Sequence, residues 1–71
     1  MSDVLCIDIG GTKTAAAALS DEGELYAWVS APTPTQAGAS AVLALVESLA
    51  RQVQASVGAR GVELSAVGVA A

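Results

Sequence analysis

The chain reads as a small α/β fold with the element order β-β-β-α-β. Two observations carry that reading. Three short apolar segments, each closed by a turn signal, precede one long stretch of helical spacing. One last apolar run then follows that helix. A helix crossing back to a strand of the same sheet implies parallel pairing with a right-handed connection.

The first segment, Val4 to Ile9, is a short continuous apolar run, the pattern of a strand buried on both faces. Alternation places Val4, Cys6 and Asp8 on one face and Leu5, Ile7 and Ile9 on the other. Gly10-Gly11 breaks the run as a hairpin turn. Lys13 to Ser20 admits two structures. Its run of alanines favours a helix, whereas its shortness and the preceding glycine turn favour a second antiparallel strand. The strand is preferred. Asp21-Glu22-Gly23 marks a second hairpin turn. Glu24 to Ala31 then alternates, with Leu25, Ala27, Val29 and Ala31 on one face and Tyr26, Trp28 and Ser30 on the other. Tyr26 and Trp28 read as packing or interface residues. Pro32 and Pro34 end this strand and leave an extended connector.

Ala37 to about Val57 is the helix. Ala39, Val42, Leu43, Val46, Leu49, Ala50, Val53 and Val57 form one apolar stripe at helical spacing. Thr35 suits the cap and Gly58 the stop. Glu47 and Arg51, four apart, make a solvated helix pair. Leu64 to Ala70 is the fourth strand, with Val67 and Val69 as its main apolar contacts.

The chemistry gathers in Asp8-Ile9-Gly10-Gly11-Thr12-Lys13-Thr14. An ionised carboxylate inside an apolar strand is costly unless something pairs with it. Two glycines let a ligand approach the backbone closely, and the exposed N–H groups of such a turn attract anions. Lys13 adds a fixed positive charge and Thr12 a rotatable donor. Together these suggest a magnesium–phosphate site. A strand-end carboxylate bonded to turn amides, an ordinary hairpin and a solvated surface lysine are the competing readings of Asp8, Gly10-Gly11 and Lys13. The spacing is neither that of a P-loop nor GxGxxG, so neither a Walker site nor a Rossmann site is indicated.

Composition excludes other classes. With 54% hydrophobic and 14% charged residues, disorder is excluded. The net charge of −4 leaves only Lys13, Arg51 and Arg60 positive, which argues against nucleic acid and against an acidic membrane surface. Cys6 is the single cysteine and reads as a small buried hydrophobe in a reducing compartment. No basic segment precedes the first apolar run, and no stretch reaches the roughly 18 residues of a membrane helix. A cytoplasmic location is expected.

Asp8-Ile9-Gly10-Gly11-Thr12-Lys13 resembles the first phosphate motif of the sugar kinase, actin and heat-shock chaperone ATPase superfamily. The β-β-β-α-β order is similar to the opening half of its ribonuclease H-like (actin-like ATPase) domain. Small residues after the motif, Pro32-Thr33-Pro34 before the helix and Val67-Gly68-Val69-Ala70 near the end are similar to the ROK family, which includes glucokinases. The resemblance covers essentially the whole chain. It implies that residues 1–71 are the N-terminal part of such a domain, with the remainder and a second domain absent.

The resemblance further implies ATP-dependent phosphorylation of a sugar, with ATP and Mg²⁺ as cofactors and a homo-oligomeric parent protein. Asp8 would help hold Mg²⁺, Gly10 and Gly11 would shape the turn beneath the phosphates, and Thr12 and Lys13 would sit beside them. The family's catalytic aspartate, sugar-binding residues and Cys/His zinc site would lie beyond Ala71. Cys6 alone cannot make a zinc site, which needs about four ligands. Two alternatives stay open. One is a sugar-responsive repressor of the same family, whose DNA-binding helix-turn-helix module would precede the first strand. The other is an N-acetylglucosamine kinase-like ATPase, whose motif also runs Gly-Gly-Thr-Lys-Thr.

Overall fold

The computed structural model describes residues 3–61 and 64–70. Four strands form one sheet: β1 (Asp3–Ile9), β2 (Lys13–Leu19), β3 (Leu25–Pro32) and β4 (Leu64–Ala70). A single-turn 3-10 helix, Thr35–Ala37, and the long helix α1 (Ala39–Ala59) lie between β3 and β4. The strand order is β3-β2-β1-β4. β1 pairs antiparallel with β2 and parallel with β4, and β2 pairs antiparallel with β3. The expected β-β-β-α-β order is therefore present, and the alanine tract is a strand. The glycine turn before it and the ladder to β1, from Ile9↔Thr14 to Val4↔Leu19, override the helical preference of alanine.

Helix α1 covers one face of the sheet. The core joins Leu5 and Ile7 of β1 and Ala16 and Ala18 of β2 to Leu49, Val53 and Val57 of α1. Alanines at the centre of the sheet keep that face flat, so a helix carrying valine and leucine can approach closely. Register places Val4, Cys6, Asp8, Ala15 and Ala17 on the opposite face, which no helix among the described residues covers. Here the expectation of a first strand buried on both faces is corrected. Leu5 and Ile7 are buried, Cys6 is half-buried and Asp8 is exposed.

Three further expectations are corrected. The alternation of the third strand breaks at a bulge, because Ala16 faces Val29 while Ala18 faces Tyr26. Ala27 sits in the bulge with φ 55°. The extra residue puts Tyr26, Val29 and Ala31 against the helix side, while Leu25 and Trp28 stay largely in solvent. Trp28 is thus exposed rather than packed.

The helix starts two residues later than expected. Gly38, at φ 92°, is its cap residue in place of Thr35, and no side chain caps it. Gly58 lies within the last turn, and the helix ends at Arg60, with the Arg60 N–H donating to the Val57 carbonyl and the Gly61 N–H to the Gly58 carbonyl. Leu43 is 67% exposed. Leu45, absent from the expected stripe, packs on the core instead. In β4, Leu64 packs on the core while Val69 is exposed. The surroundings of the Val67 side chain lie outside the described residues.

At the sheet end away from the glycine turn, Asp3 is buried and accepts a hydrogen bond from the Tyr26 hydroxyl. That bond, followed by partial burial and the Asp3 charge, raises the Tyr26 pKa above its ordinary value of 10.0, against the opposing pull of Arg60. The Arg60 guanidinium lies 4.7 Å from the centre of the Tyr26 ring. No described helix is long and apolar enough to cross a membrane.

Candidate phosphate-binding turn

The turn between β1 and β2 is built from a few identifiable bonds. Gly10 N–H donates to the Lys13 carbonyl at 3.0 Å. A Cβ at Gly10 would stand 2.6 Å from that same oxygen, so only glycine fits. At Gly11 a Cβ would meet nothing within 4 Å, so the turn is open outward at that residue. The backbone N–H groups of Gly11 and Thr12 donate to no carbonyl among the described residues. Two free amides on an exposed bend are the donor set an anion requires.

The side chains flanking the turn share one side of the sheet. Asp8 stands opposite Ala15 on the uncovered face, and alternation along β2 puts Lys13 on that face with Ala15 and Ala17. Both Asp8 and Lys13 are exposed. The expected cost of a carboxylate inside an apolar strand does not arise, because water reaches Asp8. What the structure offers instead is a carboxylate and an ammonium on one face of the sheet, on either side of the turn that carries the two free amides. Arg51 pairs with Glu47, and Arg60 covers Tyr26. Lys13 is therefore the one cation without a protein partner among the described residues.

Thr14 and Thr33 support this turn, a role that nothing in the sequence assigns to them. Thr14 is fully buried. Its Oγ1 lies 2.7 Å from Thr33 Oγ1. Thr33 Oγ1 in turn donates to the Gly10 carbonyl at 2.8 Å. A hydroxyl has one proton, and Thr33 gives its proton to a carbonyl that can only accept. Thr14 is therefore the donor in the Thr14–Thr33 bond. Thr33 N–H also donates to the Thr12 carbonyl at 3.0 Å. The Pro32-Thr33-Pro34 segment is visible in the sequence as a connector and as part of the family resemblance, but neither reading assigns Thr33 a hydrogen bond.

From Cys6 and Asp8 a groove of about 510 Å³ runs along the open face, lined also by Ala15, Ala17, Trp28 and Val69. Among the described residues, no three acidic, cysteine or histidine side chains gather as a metal-binding group. Asp8 alone fits a magnesium ion only where phosphates and water complete the shell, which is how Mg²⁺ is commonly held beside nucleotides.

An antiparallel three-strand run, a crossover helix and a parallel strand beside the first, with a glycine turn at the end of that first strand, define the opening of a ribonuclease H-like, actin-like ATPase domain. The sequence profile of the ROK family matches residues 4–71. The chain belongs to the ROK family. No curated protein matches the chain.

Proposed function

We propose that this chain supplies the nucleotide-phosphate and magnesium end of an ATP-dependent sugar kinase of the glucokinase type. The observation that supports it is that Asp8 and Lys13 share the open sheet face on either side of a turn whose Gly11 and Thr12 amides are free. Magnesium bound to ATP would neutralise charge on the phosphate oxygens during transfer to a sugar hydroxyl. Asp8 would hold that ion through water, with no further ligand from its neighbours. The Gly11 and Thr12 N–H groups would donate to phosphate oxygens, and the Lys13 ammonium would offset their charge. The Thr12 hydroxyl would add a donor beside them. Every one of these contributions is positioning and charge stabilisation, the bulk of what phosphoryl transfer needs.

Titration of the chain with Mg·ATP, followed by amide NMR, tests this reading. Saturable shifts at Gly11 and Thr12 are expected, stronger with Mg²⁺ than without. Asp8→Asn should remove the Mg²⁺ dependence while leaving the spectrum of the core unchanged. Absence of shifts at millimolar Mg·ATP would refute the proposal and favour the repressor alternative, which has no need of nucleotide. Binding without turnover is expected of these 71 residues. The chain has no histidine, and none of the turn residues is assigned the task of taking the proton of the sugar hydroxyl. ATP-dependent formation of glucose 6-phosphate by the chain would contradict that expectation.

A further inference from the structure

We propose that Thr33 is a positioning residue for the phosphate-binding turn, held in place by the buried Thr14. The inference rests on the kinase reading for its purpose but on hydrogen bonds for its geometry. Thr33 grips the turn at two points: its hydroxyl donates to the Gly10 carbonyl and its N–H donates to the Thr12 carbonyl. These two carbonyls flank Gly11. In a closed two-residue hairpin, the Gly10 carbonyl would accept the Lys13 N–H. No such bond is made here, and the Thr33 hydroxyl occupies that acceptor instead. With both carbonyls drawn toward Thr33, the intervening amides of Gly11 and Thr12 are left without protein acceptors and free to meet an anion.

Sequence and burial explain why Thr33 can do this. Pro32 and Pro34 flank it, and a residue before proline is held in the extended region. The Thr33 backbone is therefore set before the turn forms. Thr14, fully buried at the start of β2, then fixes the hydroxyl by donating to it. The Thr33 proton is left with one direction to point, toward Gly10. The chain Thr14 to Thr33 to Gly10 thus ties the edge strand β3 to the turn across a separation of 23 residues.

Four proteins test the clamp: wild type, Thr33→Val, Thr33→Ser and the double variant Thr14→Val/Thr33→Val. Thr33→Val leaves the Thr14 hydroxyl buried without a partner, so it loses stability as well as the clamp. The double variant removes both hydroxyls at nearly constant shape, which restores stability without restoring the clamp. ¹⁵N relaxation at residues 10–13 is read without ligand, and Mg·ATP affinity is read by NMR titration.

The wild-type turn should show order parameters near the rigid value of about 0.85, falling toward about 0.6 in both valine variants. Their Mg·ATP affinity should drop about tenfold, equivalent to about 1.4 kcal/mol. Thr33→Ser should keep both properties. A double variant with wild-type melting temperature, wild-type order and wild-type affinity would overturn the inference. If the wild type itself fails to bind Mg·ATP, the kinase reading falls. The order parameters then still decide the clamp, and an equally rigid turn without Thr33 overturns it.

Discussion

A methyl group added at Gly10 would lie 2.6 Å from the Lys13 carbonyl, whereas one added at Gly11 meets nothing within 4 Å. Adjacent and identical residues are therefore held by different constraints. Gly10 is required by the fold, because its N–H bonds the same oxygen its Cβ would strike. Gly11 meets no such constraint from the fold, and the proposed anion site is what a side chain there would crowd. Gly10→Ala should lower stability by about 1–3 kcal/mol, the usual range for forced overpacking. Gly11→Ala should stay within about 0.5 kcal/mol of wild type yet weaken Mg·ATP binding. Urea denaturation and NMR titration on the two variants separate these effects. Equal stability losses at both positions would mean that the turn is not shaped as described.

At the scale of the element, the bulge in β3 decides which side chains face the helix. Without it, Tyr26 and Val29 would fall on opposite faces, since a one-residue slip reverses every side chain beyond it. With it, Tyr26 reaches Asp3 and lies against Arg60, while Val29 and Ala31 stay on the core. The left-handed conformation of Ala27 costs an L-residue roughly 1–2 kcal/mol. Ala27→Gly should relieve that strain and offset glycine's added chain entropy, leaving the urea midpoint unchanged or raised. Ala27→Val, β-branched at positive φ, should lower stability by about 2 kcal/mol. Loss of stability in the glycine variant would remove the case for the bulge. Nothing in the residue alanine announces such a conformation, so the strand was legible and its register was not. The same limit applies at the helix start, where Gly38 displaced the better capping residue Thr35 because a 3-10 turn occupies Thr35–Ala37. Asp8, Gly10, Gly11, Thr12 and Lys13 were legible because their types and spacing are local. The Thr14–Thr33 bond was not, since 19 residues separate its partners and neither bears a charge.

Across the described residues, one helix on one side of the sheet leaves the core on that side and the candidate site on the other. The buried side chains Leu49, Val53 and Val57 of α1 meet Leu5, Ile7, Ala16 and Ala18 there. The uncovered side carries Asp8 and Cys6 along the groove and Trp28 at its margin. Trp28 is the single tryptophan and is 57% exposed, so its fluorescence reports this side alone. Its emission should already be that of an indole in water, and acrylamide should quench it nearly as well as free tryptophan. Urea should then remove the far-ultraviolet ellipticity in one cooperative step while changing the emission little, because unfolding exposes a side chain that water already reaches. Emission that begins blue and moves red on unfolding would show Trp28 to be covered. The groove beside Asp8 would then be closed to a ligand. A core confined to one layer lets the turn between β1 and β2 present its free amides and Lys13 to solvent without unfolding anything. The division of the sheet into a packed side and an open side is what leaves the glycine turn exposed to solvent.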